Sequence, residues 1–217
     1  MKLDQSHLLG AKCLLLDFDG PVCSVFAGYP AHQIASELVE AVSRFDVQLG
    51  LSLKDEHDPM EVLRVAAADL PEASAEQLNA QLDQAEVDAV RTAEPTSGAA
   101  QLIERAGRAG LTVAIVSNNG EKAIATYLRA HGLDGQVATI EARPFGRPEL
   151  MKPDPYLLLR ALSTTGFEAQ NAVFIGDSKS DVEAGLAAGV ATIGYANKPG
   201  KDAALREAGA SSVVTEL

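Results

Sequence analysis

The stretch LLLDFDGPV, residues Leu14 to Val22, decides how the rest of the chain is read. Three consecutive leucines have the character of a strand buried in a core, as in a parallel sheet. The run ends in two carboxylates one residue apart, Asp17 and Asp19, followed by Gly20 and Pro21, which punctuate a turn. A carboxylate at the mouth of a core strand is costly without a partner. In open parallel sheets, ligands bind beyond the carboxyl ends of the strands, so the partner is sought where other strands stop.

The second half of the chain supplies those strands. LTVAIVS (Leu111 to Ser117), AVFIGDS (Ala172 to Ser178), VATIGY (Val190 to Tyr195) and SVVTEL (Ser212 to Leu217) are short and rich in β-branched residues, and QVATIEA (Gln136 to Ala142) adds a further one. Between them, helical spacing predicts helices over about Gly120–His131, Asp154–Thr165, Lys179–Ala188 and Gly200–Ala208. Alternating strands and helices mean βαβ units, hence an α/β fold with a Rossmann-like parallel sheet. Residues 26–94 break the rhythm. They carry helical patterns such as AHQIASELVEAVSRF and PMEVLRVAAADL and no convincing buried strand. We therefore expect a helical cap at 26–94, inserted after the first strand of a core made of 1–25 and 95–217. Pro95 and Gly98 mark the return to the sheet.

Composition narrows the partners. The 217 residues suffice for a core with a smaller insert, and 47% hydrophobic with 22% charged residues is ordinary for a globular chain. A net charge of −12 repels nucleic-acid backbones and anionic membranes, which favours a small ligand. An acidic protein that binds an anion must reverse its potential locally, with a metal or with placed Lys, Arg and N–H groups. The opening MKLDQSHLLGAKCLLLDFDG lacks the uninterrupted apolar region of a signal peptide. With no apolar run of membrane-spanning length, and with Cys13 and Cys23 read as reduced thiols, a cytoplasmic monomer or homodimer is expected.

The strand ends are unusually polar. The first stops at Asp17 and Asp19, the second at Ser117, Asn118 and Asn119, and AVFIGDS at Asp177, with Asp181 four residues on. Lys152 precedes Pro153 and Asp154 before another helix. Converging carboxylates repel unless a cation neutralises them. An all-oxygen donor set suits a hard ion, and Mg²⁺ fits best because it takes one or two carboxylates, keeps waters and accepts a phosphate oxygen.

Taken in order, DFDGPV, VSNN, KPDPY and GDSKSD resemble the four motifs of the haloacid dehalogenase superfamily. The insert resembles the subclass I cap of phosphoglycolate phosphatase-like members. The resemblance covers almost the whole chain and implies a Mg²⁺-dependent phosphatase acting on a small phosphorylated metabolite. It implies Asp17 as nucleophile and Asp19 as general acid and base, with the Asp19 carbonyl on the metal. Ser117, Asn118 and Lys152 would receive the phosphoryl group, Asp177 would complete the metal ligands, and Asp181 would support them. One departure stands out. Pro21 and Cys23 occupy positions where the family commonly has threonine and aspartate.

A phosphosugar mutase could share all four motifs. A haloacid dehalogenase would need neither Asp19 nor a metal, and a binding module would have no use for the whole set. In isolation, Ser178 and Asp181 read as a helix cap and Asn118 and Asn119 as turn formers. Lys54, His57, Arg64 and His32 of the cap are expected to be solvated. Arg143 and Arg147, in the loop running into Lys152, are candidates for holding an anionic leaving group.

Overall fold

The computed structural model describes residues 1–217, apart from the side chain of Gln5. The leucine stretch forms β1 (Cys13–Leu16), every residue of it buried. Because strand side chains alternate between faces, Leu14 and Leu16 join one apolar cluster while Cys13 and Leu15 join another. The two-sided burial explains why the run is continuously apolar.

After the turn, β2 (Cys23–Ser24) leads into α1 (Ala31–Phe45), α2 (Val47–Ser52), α3 (Pro59–Asp69) and α4 (Glu72–Ala89), and the chain returns through β3 (Glu94–Pro95). Then come α5 (Ala99–Arg108), β4 (Thr112–Val116), α6 (Glu121–Ala130), β5 (Thr139–Glu141), α7 (Tyr156–Thr165), β6 (Ala172–Gly176), α8 (Lys179–Ala188), β7 (Ala191–Tyr195), α9 (Lys201–Glu207) and β8 (Ser212–Val214). Six strands make one parallel sheet in the order β5-β4-β1-β6-β7-β8. Apolar residues of α5 and α6 cover one face of β1, and those of α7 and α8 cover the other. Both β4 and β6 divide their side chains between the same two clusters.

The register positions the site. Leu16 is level with Ile115 of β4 and with Ile175 of β6, so these three strands end together. Asp17, Ser117 and Asp177 therefore emerge at one edge of the sheet.

The helical insert is bounded by local signals. Asp46 accepts hydrogen bonds from the N–H groups of Gln48 and Leu49 and so starts α2, while Asp58 caps α3, whose first residue is Pro59. Ile34, Ala35, Leu38, Ala41 and Val42 form the buried stripe of α1. The expected linkers hydrogen-bond to each other, a pairing the sequence did not announce. β2 and β3 form an antiparallel ribbon, Cys23 opposite Pro95 and Ser24 opposite Glu94, and Thr96 donates through its N–H to Val22 O and through Oγ1 to Gly20 O. α7 begins at Tyr156 rather than Asp154, because the Asp154 carboxylate accepts the Tyr156 N–H at 2.9 Å and stays outside the helix.

Candidate active site

Beyond the ends of β1, β4 and β6 lies a cavity of about 490 Å³. Asp17, Asp19, Ser117, Asn118, Lys152, Asp177 and Asp181, drawn from four separate stretches of sequence, all line it. Its centre is Lys152, a lysine with almost no solvent contact, whose Nζ lies 2.9 Å from Asp17 Oδ1 and 2.6 Å from Asp181 Oδ1. The same ammonium donates to Val116 O at 3.1 Å. Burial works to lower the Lys152 pKa, but Asp17 and Asp181 outweigh it and hold the ammonium above its ordinary value.

Each partner is fixed in turn. The Phe18 N–H reaches Asp17 Oδ1 at 2.7 Å, and the Asp17 N–H continues the ladder to Ile175 O. The other oxygen of Asp181, Oδ2, accepts from the N–H of Asp177 at 3.1 Å, the N–H of Ser178 at 2.9 Å and the Ser178 hydroxyl at 2.6 Å. Ser178 accepts the Asp181 N–H in return and closes a capping box on α8. The helix-cap reading of Ser178 and Asp181 thus holds together with the site reading. Asn118 clamps the lysine backbone, its Oδ1 accepting from Lys152 N at 2.8 Å and its Nδ2 donating to Lys152 O at 3.1 Å.

Two glycines permit the close approach. Gly20 has φ +105°, and a Cβ there would stand 2.5 Å from Asp177 Cγ; a Cβ at Gly176 would stand 2.4 Å from Asp181 Cβ. Asp177 Oδ2 accepts from Asn197 Nδ2 at 2.9 Å and also meets Lys201 Nζ. The Asp19 carboxylate points into the ribbon, where the Val25 N–H donates to it at 2.9 Å.

The electrostatics are strained toward a cation. Burial, then Asp181, pushes the Asp17 carboxyl up to about 8 against the pull of Lys152, with Asp177 adding to the rise. Burial also raises Asp19 to about 6, opposed by the Val25 N–H. One carboxylate oxygen each of Asp17, Asp177 and Asp181 lies within 4.8 Å of the others. Asp181 is committed to Lys152 and the helix cap, which leaves Asp17 and Asp177 as the pair best able to share a hard cation. The Asp19 carboxylate lies outside this cluster.

A family model described as haloacid dehalogenase-like hydrolase matches residues 43–195. The chain belongs to that family. The match begins after the first carboxylate pair, whose Pro21 and Cys23 were the departure from the family pattern. Curated relatives include a phosphoglycolate phosphatase of Haemophilus influenzae, 34% identical over 39% of this chain and 37% of that protein. Another, of Mesorhizobium japonicum, is 30% identical over 46% of this chain and 43% of its own length. These matches span less than half of the relatives they concern. Among solved structures, a β-phosphoglucomutase of Clostridium difficile superposes with TM-score 0.71 at 18% identity, covering 95% of this chain and 91% of that one. A hydrolase of Pseudomonas syringae gives 0.67 at 22% identity, covering 94% and 93%. At such identities the likeness concerns the fold.

In this haloacid dehalogenase-like hydrolase the cap supplies the wall opposite the sheet. Phe26, Ala31, the loop residues Glu56, His57 and Asp58, and the first two residues of α3, Pro59 and Met60, line the cavity. His57, expected to be solvated, is exposed yet reaches that lining. Arg64 donates to Glu61 at 3.1 Å and to Lys152 O at 2.8 Å, tying α3 to the floor.

Neither of the two loop arginines lines the cavity. Arg147 is exposed and pairs with Glu149. Arg143 is sealed between core and cap: its Nη1 donates to Glu86 Oε1 at 3.0 Å and to Asn118 O at 2.9 Å, and its Nη2 donates to Glu86 Oε2 at 2.8 Å and to Asp83 Oδ1 at 2.5 Å. Glu86, wholly buried, also accepts from Asn119 Nδ2 at 3.0 Å and from the Gly120 N–H at 2.8 Å. Asn119 accepts the Ser117 hydroxyl at 3.2 Å. A cap residue thereby fastens the turn that carries Ser117. One signal could have revealed Glu86: it falls on the buried stripe of α4, with Leu78, Leu82 and Ala89. A carboxylate on an apolar stripe requires a partner.

Proposed function

We propose that this protein is a Mg²⁺-dependent phosphatase that hydrolyses a small phosphomonoester through an aspartyl-phosphate intermediate. The observation that carries the reading is Lys152 Nζ between Asp17 and Asp181, at the edge where three strands end and with Asp177 beside them. The phosphoglycolate phosphatases among the relatives support phosphoryl chemistry on a small ester.

In this reading, Asp17 and Asp177, with the Asp19 carbonyl, would hold Mg²⁺, which lowers the charge of the phosphoryl group and of the carboxylates around it. Phe18 N–H and Lys152 orient the Asp17 carboxylate, which attacks phosphorus as the ester P–O bond breaks. Asp19 delivers its proton to the departing alkoxide. Once the alcohol has left, Asp19 takes a proton from water, and that water attacks the acyl phosphate to release inorganic phosphate and restore Asp17. The Ser117 hydroxyl, the Asn118 N–H and Lys152 receive the phosphoryl oxygens. A phosphosugar mutase would pass through the same intermediate and return the phosphoryl group to a second hydroxyl.

The test is phosphate release from a panel of small phosphomonoesters in Mg²⁺, with acid-quenched protein analysed for phosphate on Asp17. Stoichiometric inorganic phosphate and label on Asp17 are expected. An isomeric phosphorylated product without free phosphate would replace the phosphatase reading by the mutase one; no turnover of any ester would end both.

A further inference from the structure

We infer that the leaving group accepted by this site bears no carboxylate: it is an uncharged or amine-bearing alcohol. The inference rests on the phosphatase reading and concerns the half of the cavity that the phosphoryl group does not fill. That half is bounded by the cap, where two carboxylates, Glu56 and Asp58, stand on either side of His57. Both are ordered by their own backbone: Glu56 Oε1 accepts the N–H groups of His57 and Asp58 at 2.7 and 2.8 Å, and Asp58 Oδ1 accepts that of Met60 at 2.8 Å. The rest of the wall, Phe26, Ala31, Pro59 and Met60, carries no charge.

A second anionic group on the substrate would need a cation, and the cations that form the cavity floor or pair with its walls are engaged. Lys152 is divided between Asp17 and Asp181. Arg64 is held by Glu61 and the Lys152 carbonyl, and Arg143 is enclosed by Asp83, Glu86 and the Asn118 carbonyl. Lys201 meets Asp177. Lys198, exposed on the loop after β7, acts on Asp19 only through space, and neither it nor Lys54 lines the cavity. A carboxylate entering here faces Glu56 and Asp58 with only the His57 ring to offset them. A hydroxyl finds acceptors in the same carboxylates, and an ammonium finds partners.

The experiment compares three esters that differ only at the distal carbon: ethylene glycol phosphate, phosphoethanolamine and 2-phosphoglycolate. p-Nitrophenyl phosphate serves as a reporter of the chemistry itself. Two like charges at the rim of a partly wetted cavity should hold kcat/KM for 2-phosphoglycolate about tenfold or more below that for ethylene glycol phosphate. The gap should narrow in about 0.5 M salt, which screens exposed charges. It should narrow as well in the Glu56→Gln, Asp58→Asn double variant, in which glutamine keeps an acceptor oxygen and asparagine remains a good helix cap. Equal or preferred hydrolysis of 2-phosphoglycolate overturns the inference, and so does a gap that neither salt nor the double variant moves. Failure on p-nitrophenyl phosphate along with all three esters is a different result, since it removes the phosphatase reading on which the inference stands.

Discussion

Two buried cations in this molecule each face two carboxylates, and they do different work. Lys152 stands between Asp17 and Asp181 beneath an open cavity; Arg143 stands between Asp83 and Glu86 inside the joint of cap and core. The arginine spreads donors over both carboxylates and the Asn118 carbonyl, a planar fork matched to several acceptors at once. The lysine is a compact charge on a flexible stem, and it leaves the two aspartates unevenly satisfied. Asp181 has three further donors on its second oxygen, whereas Asp17 is pushed up to about 8 and borders the cavity. The Arg143 cluster, clamped between cap and core although its Nε finds no acceptor, works as a fastener, whereas the Lys152 cluster borders a cavity that another cation and an anion can enter.

The largest effect expected is on the unevenly satisfied carboxylate. Asp17→Asn keeps the shape but cannot form an acyl phosphate, so turnover of any phosphomonoester should vanish while the thermal melt stays near that of the parent. Activity within about tenfold of the parent would exclude Asp17 as nucleophile and make the contrast between the clusters meaningless. Close behind comes the metal. Mg²⁺ prefers a compact octahedral shell and can leave one Asp17 oxygen free, whereas Ca²⁺ takes six to eight oxygens and often both of a carboxylate, by general coordination chemistry of about this order. Phosphate release should require Mg²⁺, disappear in chelator and be inhibited by Ca²⁺ competing for the same place. Full activity in chelator, or equal support by Ca²⁺, would contradict the mechanism.

A smaller loss is expected one turn away. Asp19→Asn removes the proton donor but leaves Lys152, Asp17 and Asp181 as they are, and should slow hydrolysis of alkyl phosphates by about 10² to 10⁴. Aryl phosphates with good leaving groups depend less on a proton and should lose less in their first step. The same loss in the first step for both ester types, read as the pre-steady-state burst of released alcohol, would show that Asp19 acts on the position of Asp17 rather than on the leaving alcohol.

The two clusters were unequally legible in the sequence, for a physical reason. Asp17, Ser117 and Asp177 sit where apolar strands stop, so hydrophobic pattern and punctuation mark them together. Lys152 follows no strand; the sequence marks it only as a cation before Pro153 and a helix start, and its burial between two aspartates came with the structure. The Arg143 cluster joins residues 57 and 60 positions apart on a helix of the cap and a loop of the core. No local pattern encodes such a pairing, and the loop arginines were read instead as candidates for an anionic ligand. The β2–β3 ribbon escaped for another reason: two-residue strands are too short to show an alternation. Cap helices were readable as helices from their spacing, while their docking on the core was not.

The smallest effect on catalysis is expected at Arg143, and exchanging the two cations in separate variants is the sharpest test of the comparison. Arg143→Lys keeps the charge but cannot reach Asp83, both Glu86 oxygens and the Asn118 carbonyl together, so buried acceptors lose donors. Partial loss of such a network should destabilise the fold by about 1–3 kcal/mol, a melting-temperature drop of several degrees for a chain of this size. No chemistry is assigned to Arg143, so kcat should stay within about threefold, with a modest rise in KM as the Ser117 turn loosens through Asn119 and Glu86. Lys152→Arg should reverse the pattern. The bulkier fork still pairs with Asp17 and Asp181, which limits the loss of stability, but it crowds the place where a phosphoryl oxygen must sit, and kcat should fall by about 10² or more. Thermal melts and steady-state kinetics on both variants separate the outcomes. If both proteins lose stability and rate in the same proportion, the two clusters are one network, and the division between fastener and reactive floor is wrong.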